Sequence, residues 1–433
     1  MRGWVWMFAL LVACDDGAAN EPGQDAAAQD LPVDQRTAPD GSTDMALDLG
    51  PDASADMAPP DPDRPYAERT FAAPTAWATP LADYITAGEA AFPEQAFERG
   101  IHDLATFDGR LHLGYGDATL NLGRVVAIEH RAFTDPEDAA SLVTEAASRE
   151  EHLDGFRRFG ERLMLPGIDA VDDAWLGNVY LRDPGQPWRM ARTVDRGVHV
   201  HDVVQWGASL YAVGSGATPE AWNNGNVYAH LWISRDDAQS WQVLHTVHNE
   251  RMGDARFVRL LPLDDALYTF GYRSDAMGSI NRLLAGAWDG TIYTPLAAEH
   301  PLSRAFVVGT EPLSATAGLV WGADVAADPL VSRVWRLEGG LAAPVEALAG
   351  HTLVDLSRVE ATGEWLLLVH AGDTWAMTPD PWEAQVWVAP PDLSAASEVL
   401  RFTAPAPVKS VAAWGGALFL GDAQGTLWKA EVE

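Results

Sequence analysis

A strand–turn–strand signature that returns roughly every fifty residues limits what this chain can fold into. Its clearest copy is Ile101-His102-Asp103-Leu104-Ala105-Thr106-Phe107, the turn Asp108-Gly109, then Arg110-Leu111-His112-Leu113-Gly114. Asp-Gly between two apolar strands favours a type I′ hairpin, whose two central residues both need positive φ. Further clear copies run from 198 to 214 around Gly207, and from 408 to 421 around Gly415-Gly416. Weaker ones fall at 152–167, 257–271, 318–322 and 353–369. The second-strand leucines Leu111, Leu163, Leu210, Leu267, Leu319, Leu367 and Leu418 mark seven units.

Seven such units predict an all-β fold, a β-propeller of seven blades with four antiparallel strands each; six or eight blades stay open because the unit at Leu319 is faint. The last unit supplies three strands. The missing outer strand is expected from residues 82–99, with 72–76 as its lead-in, and such a clasp removes a free sheet edge. Residues 135–151 fit either a short surface helix or an outer strand. The 18 tryptophans and the dispersed glycines and prolines suit many short strands and turns. A net charge of −33 excludes nucleic acid as a natural partner, since phosphate binding wants a basic surface. The single cysteine, Cys14, excludes intrachain disulfides and cysteine-based zinc sites.

Arg2, an apolar run over 4–12 and Leu11-Val12-Ala13-Cys14 resemble a bacterial lipoprotein signal peptide with its lipobox. The run is too short for a spanning helix. The resemblance implies cleavage before Cys14, which then carries the lipid that holds the protein to a membrane. The expected organisation is a signal peptide (1–13), the lipidated Cys14 with a disordered acidic Asp/Ala/Pro-rich linker (14–66), and the propeller (67–433). The expected place is the bacterial cell envelope, anchored to the inner or the outer membrane, periplasmic or surface exposed. The oligomeric state stays open.

The stretch Ser234-Arg235-Asp236-Asp237-Ala238-Gln239-Ser240-Trp241 resembles the Asp-box (BNR repeat) of sialidase-like propellers, with Ala238 where glycine is usual. The structural residues implied are Ser234, Asp236, Ser240 and Trp241. Asp183 and Trp188 repeat the spacing as a decayed second copy. Asp236 is expected to accept turn amides and Trp241 to cover the apolar side. The sialidase active site implies an arginine trio, a Tyr–Glu nucleophile pair and an Asp acid/base. Arg256, Arg259, Arg273 and Arg282 do not space as such a trio, so the resemblance carries architecture. Residues 109–117 also resemble uncharacterised secreted bacterial propeller-repeat proteins.

The first strand of each blade lines the central channel. Histidines recur there: His102, His152, and the pair His199 and His201, with Asp103 and Asp202 in matching positions. His102, His152 and His201 form the candidate metal set, and a divalent metal is the cofactor they imply. The competing reading is structural: repeats reuse one residue for a bond to a neighbouring blade's backbone. Asp117 follows a second strand in an inner turn. The candidate ligand-binding set is therefore His102, Asp103, Asp117, His199, His201, Asp202 and Arg256. Trp175, Trp206, Trp222 and Trp232 offer stacking surfaces for sugar. Two functional classes follow. One is a binding or assembly module for a glycan or an envelope protein. The other is a polysaccharide hydrolase or lyase, metal-assisted or not, at the channel rim. Carboxylates with raised pKa in a groove favour the enzyme, and a shallow apolar and amide rim favours binding.

The Cys14 reading has a direct test. Cys14→Ser is expected to abolish palmitate labelling and move the protein from the membrane to the soluble fraction; unchanged membrane retention would refute it.

Overall fold

A computed structural model describes residues 64–433, apart from 119, 121, 172–174, 219, 222–223, 249–252 and 373–381. The signal peptide, Cys14 and nearly all of the linker lie outside the described residues, as does Trp222.

The repeat builds four-stranded antiparallel units. The first is Asp103–Phe107, Arg110–Gly114, Glu129–Phe133 and Leu142–Ala147. The second is Arg157–Phe159, Arg162–Pro166, Leu176–Arg182 and Arg189–Asp195. The third, Gly197–Trp206, Ser209–Gly216, Asn226–Ser234 and Gln242–Val247, is joined to the fourth, Gly253–Pro262, Leu267–Ser274, Ile280–Trp288 and Tyr293–Pro295. The fifth is Ala305–Pro312, Ala317–Asp324, Val331–Glu338 and Leu341–Pro344; the sixth is His351–Arg358, Trp365–Ala371, Trp382–Ala389 and Ser397–Ala404. The last is Val408–Trp414, Ala417–Asp422, Leu427–Ala430 and, from the other end of the domain, Thr75–Ala78. The architecture is an all-β propeller.

The expected count of separate sheets needs correction. Among the described residues five four-stranded sheets stand alone, not seven, beside one sheet of eight strands and a two-stranded one of Glu150–His152 with Ile168–Ala170. The cause is local. Asn226 and Val227 pair in parallel with Gly253 and Asp254, which stitches the third unit to the fourth.

All seven marker leucines sit on second strands and are buried. The glycines that recur in several second strands have a steric cause. A Cβ at Gly214 would lie 1.9 Å from the His199 carbonyl oxygen, and one at Gly271 would lie 2.0 Å from that of Arg256. Register slips by one residue close to those contacts, between Val200 and Asp202 and between Phe257 and Arg259. The first strand thus bulges against the second, and glycine leaves room for it. Asp108 and Gly109 both have positive φ, as the hairpin turn requires.

The ring closes through the N-terminal segment, but not through the residues expected. Thr75–Ala78, in what was read as the lead-in, pairs antiparallel with the strand Leu427–Ala430. Within 82–99, Ala82–Ala91 is a helix. Its alanines favour helix, and Phe92 before Pro93 is pushed out of the helical region. Asp83 on this helix bonds the buried Arg131 of the first sheet at 2.6 Å. Trp77 wedges between Phe133 of the first sheet and Phe419 of the last, with ring centroids 4.7 and 5.0 Å away. Residues 135–151 contain the outer strand Leu142–Ala147, the second of the two alternatives.

In the 234–241 turn, Asp236 Oδ1 accepts the Ser240 amide at 2.9 Å and the Ser234 hydroxyl at 2.8 Å. The Ala238 amide donates to Ser234 Oγ at 2.9 Å. Ala238 is fully buried and has φ 62°, a conformation that explains why glycine suits the position. Trp241 packs against the core beside Ala238. The Asp183 turn is built differently. Asp183 pairs with Arg162 at 2.7 Å, and Trp188 donates to Glu145 at 2.9 Å. Spacing alone did not reproduce the hydrogen-bond pattern there, because a basic neighbour captures the carboxylate.

Trp77→Ala is expected to destabilise the fold by about 3 kcal/mol, the cost of a large aromatic lost from packing. Denaturant titration checks it; a loss below about 1 kcal/mol would mean the wedge does not hold the closure.

Candidate functional site

First strands of different sheets meet around one channel, and three of their aspartates do the same task. Asp103 accepts the amides of Gly155 and Phe156 at 3.0 and 2.7 Å. Asp202 accepts that of Leu260 at 2.8 Å, and Asp355 that of Val411 at 2.8 Å. Each carboxylate reaches from one unit to the next: Asp202 and Asp355 to its first strand, Asp103 to the two residues just before it. For Asp103 and Asp202 the structural reading therefore holds, and Asp355 joins them.

Arg157 crosses the channel at this level and is buried. Its Nε donates to Asp202 Oδ1 at 2.9 Å, and its Nη2 donates to Asp202 Oδ2 and Thr310 Oγ1, both at 2.7 Å. Its Nη1 donates to the Thr310 carbonyl and to Glu311 Oε2. Burial, with Asp154 nearby, pushes the Asp103 carboxyl up to about 7. Burial, with Asp103 nearby, holds Asp355 well above the usual carboxylate range. Burial likewise raises Glu311 to about 7, against the pull of Arg157. About 31% of the Glu311 side chain remains accessible, so its shift reflects depth in the channel rather than full enclosure.

At the C-terminal ends of these strands lies a cavity of about 370 Å³. Asp103 and Glu311 form its floor side; Arg158, Arg358, Glu360 and Trp365 line it as well. Arg158 pairs with Glu360. The Arg358 guanidinium lies over the Trp365 ring, 5.7 Å from its centroid. The volume falls in the range of small-ligand sites.

The histidines sit at the other ends of the strands. His102 and His152 come together, with ring centroids 4.8 Å apart. His201 does not join them. It occupies the bulge between Val200 and Asp202 and stacks on His199 at 5.7 Å. Among the described residues no group of three or more His, Cys, Asp or Glu is placed to hold a metal ion. The candidate set His102, His152 and His201 is thereby corrected. Burial lowers all three imidazoles, most strongly His102 and His201. His199 bonds Ser215 at 2.8 Å and lies 3.4 Å from Asp169. Asp117 is buried and caps the Glu98 and Leu120 amides at 2.7 and 3.2 Å. Arg256 is buried and pairs with Asp254 at 2.6 Å. His199, Asp117 and Arg256 serve the scaffold. Of the expected ligand-binding set, Asp103 alone lines the cavity. Of the expected stacking tryptophans that the structure describes, Trp175, Trp206 and Trp232 do not line it: Trp232 is fully buried and Trp206 donates to the Leu263 carbonyl at 2.6 Å.

Sequence reasoning missed Arg157, Arg158, Glu311, Arg358 and Glu360. One signal was available: Arg157-Arg158 are consecutive bases on a first strand, opposite the second-strand Met164 and Leu163.

No known protein family and no curated protein matches the sequence. Solved structures with a similar course of chain include the computationally designed protein Ika8, at 9% identity and TM-score 0.44, covering 78% of this chain and 98% of that one. The β-propeller domain of the Trilobed protease from Pyrococcus furiosus has 8% identity and TM-score 0.44, covering 78% and 96%. The GH93 α-L-arabinofuranosidase of Fusarium graminearum, in complex with arabinobiose, has 11% identity and TM-score 0.35, covering 63% and 89%. Such distant likenesses concern the fold alone.

The buried carboxyls predict a pH signature. A carboxyl whose folded pKa is raised stabilises the fold fully below its unfolded pKa, near 4, and loses that contribution as pH rises through about 7. Asp103→Asn is expected to flatten the fall in stability between pH 4 and 7 relative to the unchanged protein. Denaturant midpoints measured across that range check it; parallel curves would refute the shift.

Proposed function

We propose that this chain is a lipid-anchored cell-envelope propeller that binds a glycan in the channel-mouth cavity. In this reading the two halves of the eight-stranded sheet count as separate blades, which gives seven. The 234–241 turn supports kinship with the sialidase-like Asp-box superfamily, and the lipobox supports attachment to a membrane through Cys14. The cavity carries the proposal. It is large enough for a sugar unit, charged on several sides, and backed by an aromatic ring. Its carboxylates have other work: Asp103 is held by two backbone amides and Glu311 faces Arg157.

Polysaccharide cleavage is the second reading. One observation favours it: Asp103 and Glu311, both raised to about 7, line the same cavity. A raised carboxyl is suited to general acid work near neutrality. The two readings separate in one assay. Envelope polysaccharide fragments mixed with the protein are expected to show saturation-transfer NMR signals without release of new reducing ends. Release that disappears in Glu311→Gln would replace binding by hydrolysis. Absence of both signals would remove the glycan and leave an envelope protein as the partner to seek.

A further inference from the structure

The cavity's cations narrow the ligand, on the premise that this cavity is the binding site. Arg158 and Arg358 converge there from the first strands of the second and sixth units. They are close enough that Arg358, with burial, holds Arg158 below the ordinary arginine range. Arg158 has Glu360 as a partner. Arg358 makes no close ion pair among the described residues; its charge acts on Glu311 in the same cavity, and the Trp365 ring lies beneath it. Such convergence is unusual in a chain with 62 acidic and 29 basic residues, where a carboxylate is rarely far from any arginine. Two exposed guanidinium groups at the mouth are local points of positive charge beside the Asp103, Glu311 and Glu360 carboxyls of the same lining, and they give an anion a place to bind. A planar guanidinium fixed on an aromatic face also presents its N–H edge for bidentate contact with a carboxylate.

We infer that the ligand is a carboxylate-bearing saccharide, a uronate, with Arg358 as its anchor and Arg158 as a second contact that Glu360 partly occupies. Glu360 then acts as a competing anion. Removing it frees Arg158 for the ligand, whereas removing Arg358 takes away the anchor.

The test is calorimetric titration of the purified full chain in detergent with trigalacturonate and, in parallel, with the neutral galactose trisaccharide. Trigalacturonate is expected to bind at least tenfold more tightly, and its affinity to fall with added salt. Arg358→Gln is expected to remove that preference. Glu360→Gln is expected to tighten trigalacturonate binding several-fold, a change in the opposite direction that mere damage to the fold does not produce. Equal binding of the two trisaccharides, indifferent to both substitutions, would overturn the anionic ligand while leaving glycan binding intact. Binding of neither would overturn the glycan site itself and this inference with it.

Discussion

Carboxylates reaching from one unit to the backbone of the next set the geometry of the whole channel. Asp103, Asp202 and Asp355 each accept a main-chain amide of the following unit, in its first strand or directly before it. Amides that face a narrow channel have no strand partner on that side, and leaving them unpaired in a buried setting is costly. A carboxylate is a strong acceptor and spans the gap between units that a carbonyl does not reach. The solution concentrates negative charge in a small volume. Burial and the neighbouring carboxylates raise the proton affinity of Asp103 and Asp355, and Arg157 offsets the charge of Asp202 and Glu311 on the other side. The protonation of the channel and the packing of the units are therefore one problem.

Closure is a separate constraint and uses separate means. Thr75–Ala78 completes the last sheet, so the two ends of the folded domain share one unit. The strand is short, and four residues of pairing hold little by themselves. The helix that follows carries Asp83 to Arg131, and Trp77 fills the seam between the first and last units. Hydrogen bonds fix the register, while aromatic packing across the seam supplies most of the adhesion.

What the sequence made legible was local. The marker leucines, the Asp108-Gly109 turn and the glycines recurring in second strands report on contacts between adjacent strands, which lie close in the chain. The closing strand was placed too late because Ala82–Ala91 has no strong amphipathic pattern, and the short Thr75-Ala76-Trp77-Ala78 segment reads as linker. The stitch between the third and fourth units rests on two residue pairs and leaves no pattern to read. The recurrence of His and Asp on first strands was visible, yet recurrence marks a shared position in the repeat, not a meeting point. His102 and His152 meet because they are on neighbouring units, and the bulge turns His201 toward His199 instead. The cavity residues come from strands two hundred residues apart, so no spacing announces them.

The same geometry bears on which chemistry the channel mouth supports. A general acid must release its proton toward the substrate, and a nucleophile or base must have an oxygen free. Asp103 spends one oxygen, Oδ2, on two amides whose positions are set by the packing of the first and second units. Moving it toward a substrate would unsatisfy both. Glu311 is less constrained, since its link to Arg157 is 3.2 Å long and its side chain stays partly accessible. Among the described lining residues Glu311 and Glu360 are the less constrained carboxyls, and Arg158 engages Glu360, where the usual glycosidase pair needs two uncommitted ones. The cations are distributed the other way. Arg157 is locked in the wall by its Asp202 and Thr310 bonds, and Arg158 and Arg358 stand at the open end. An Asp103 held by backbone amides, a Glu360 engaged by Arg158 and accessible guanidinium groups at the entrance suit this mouth better to holding an anion than to cutting a glycosidic bond.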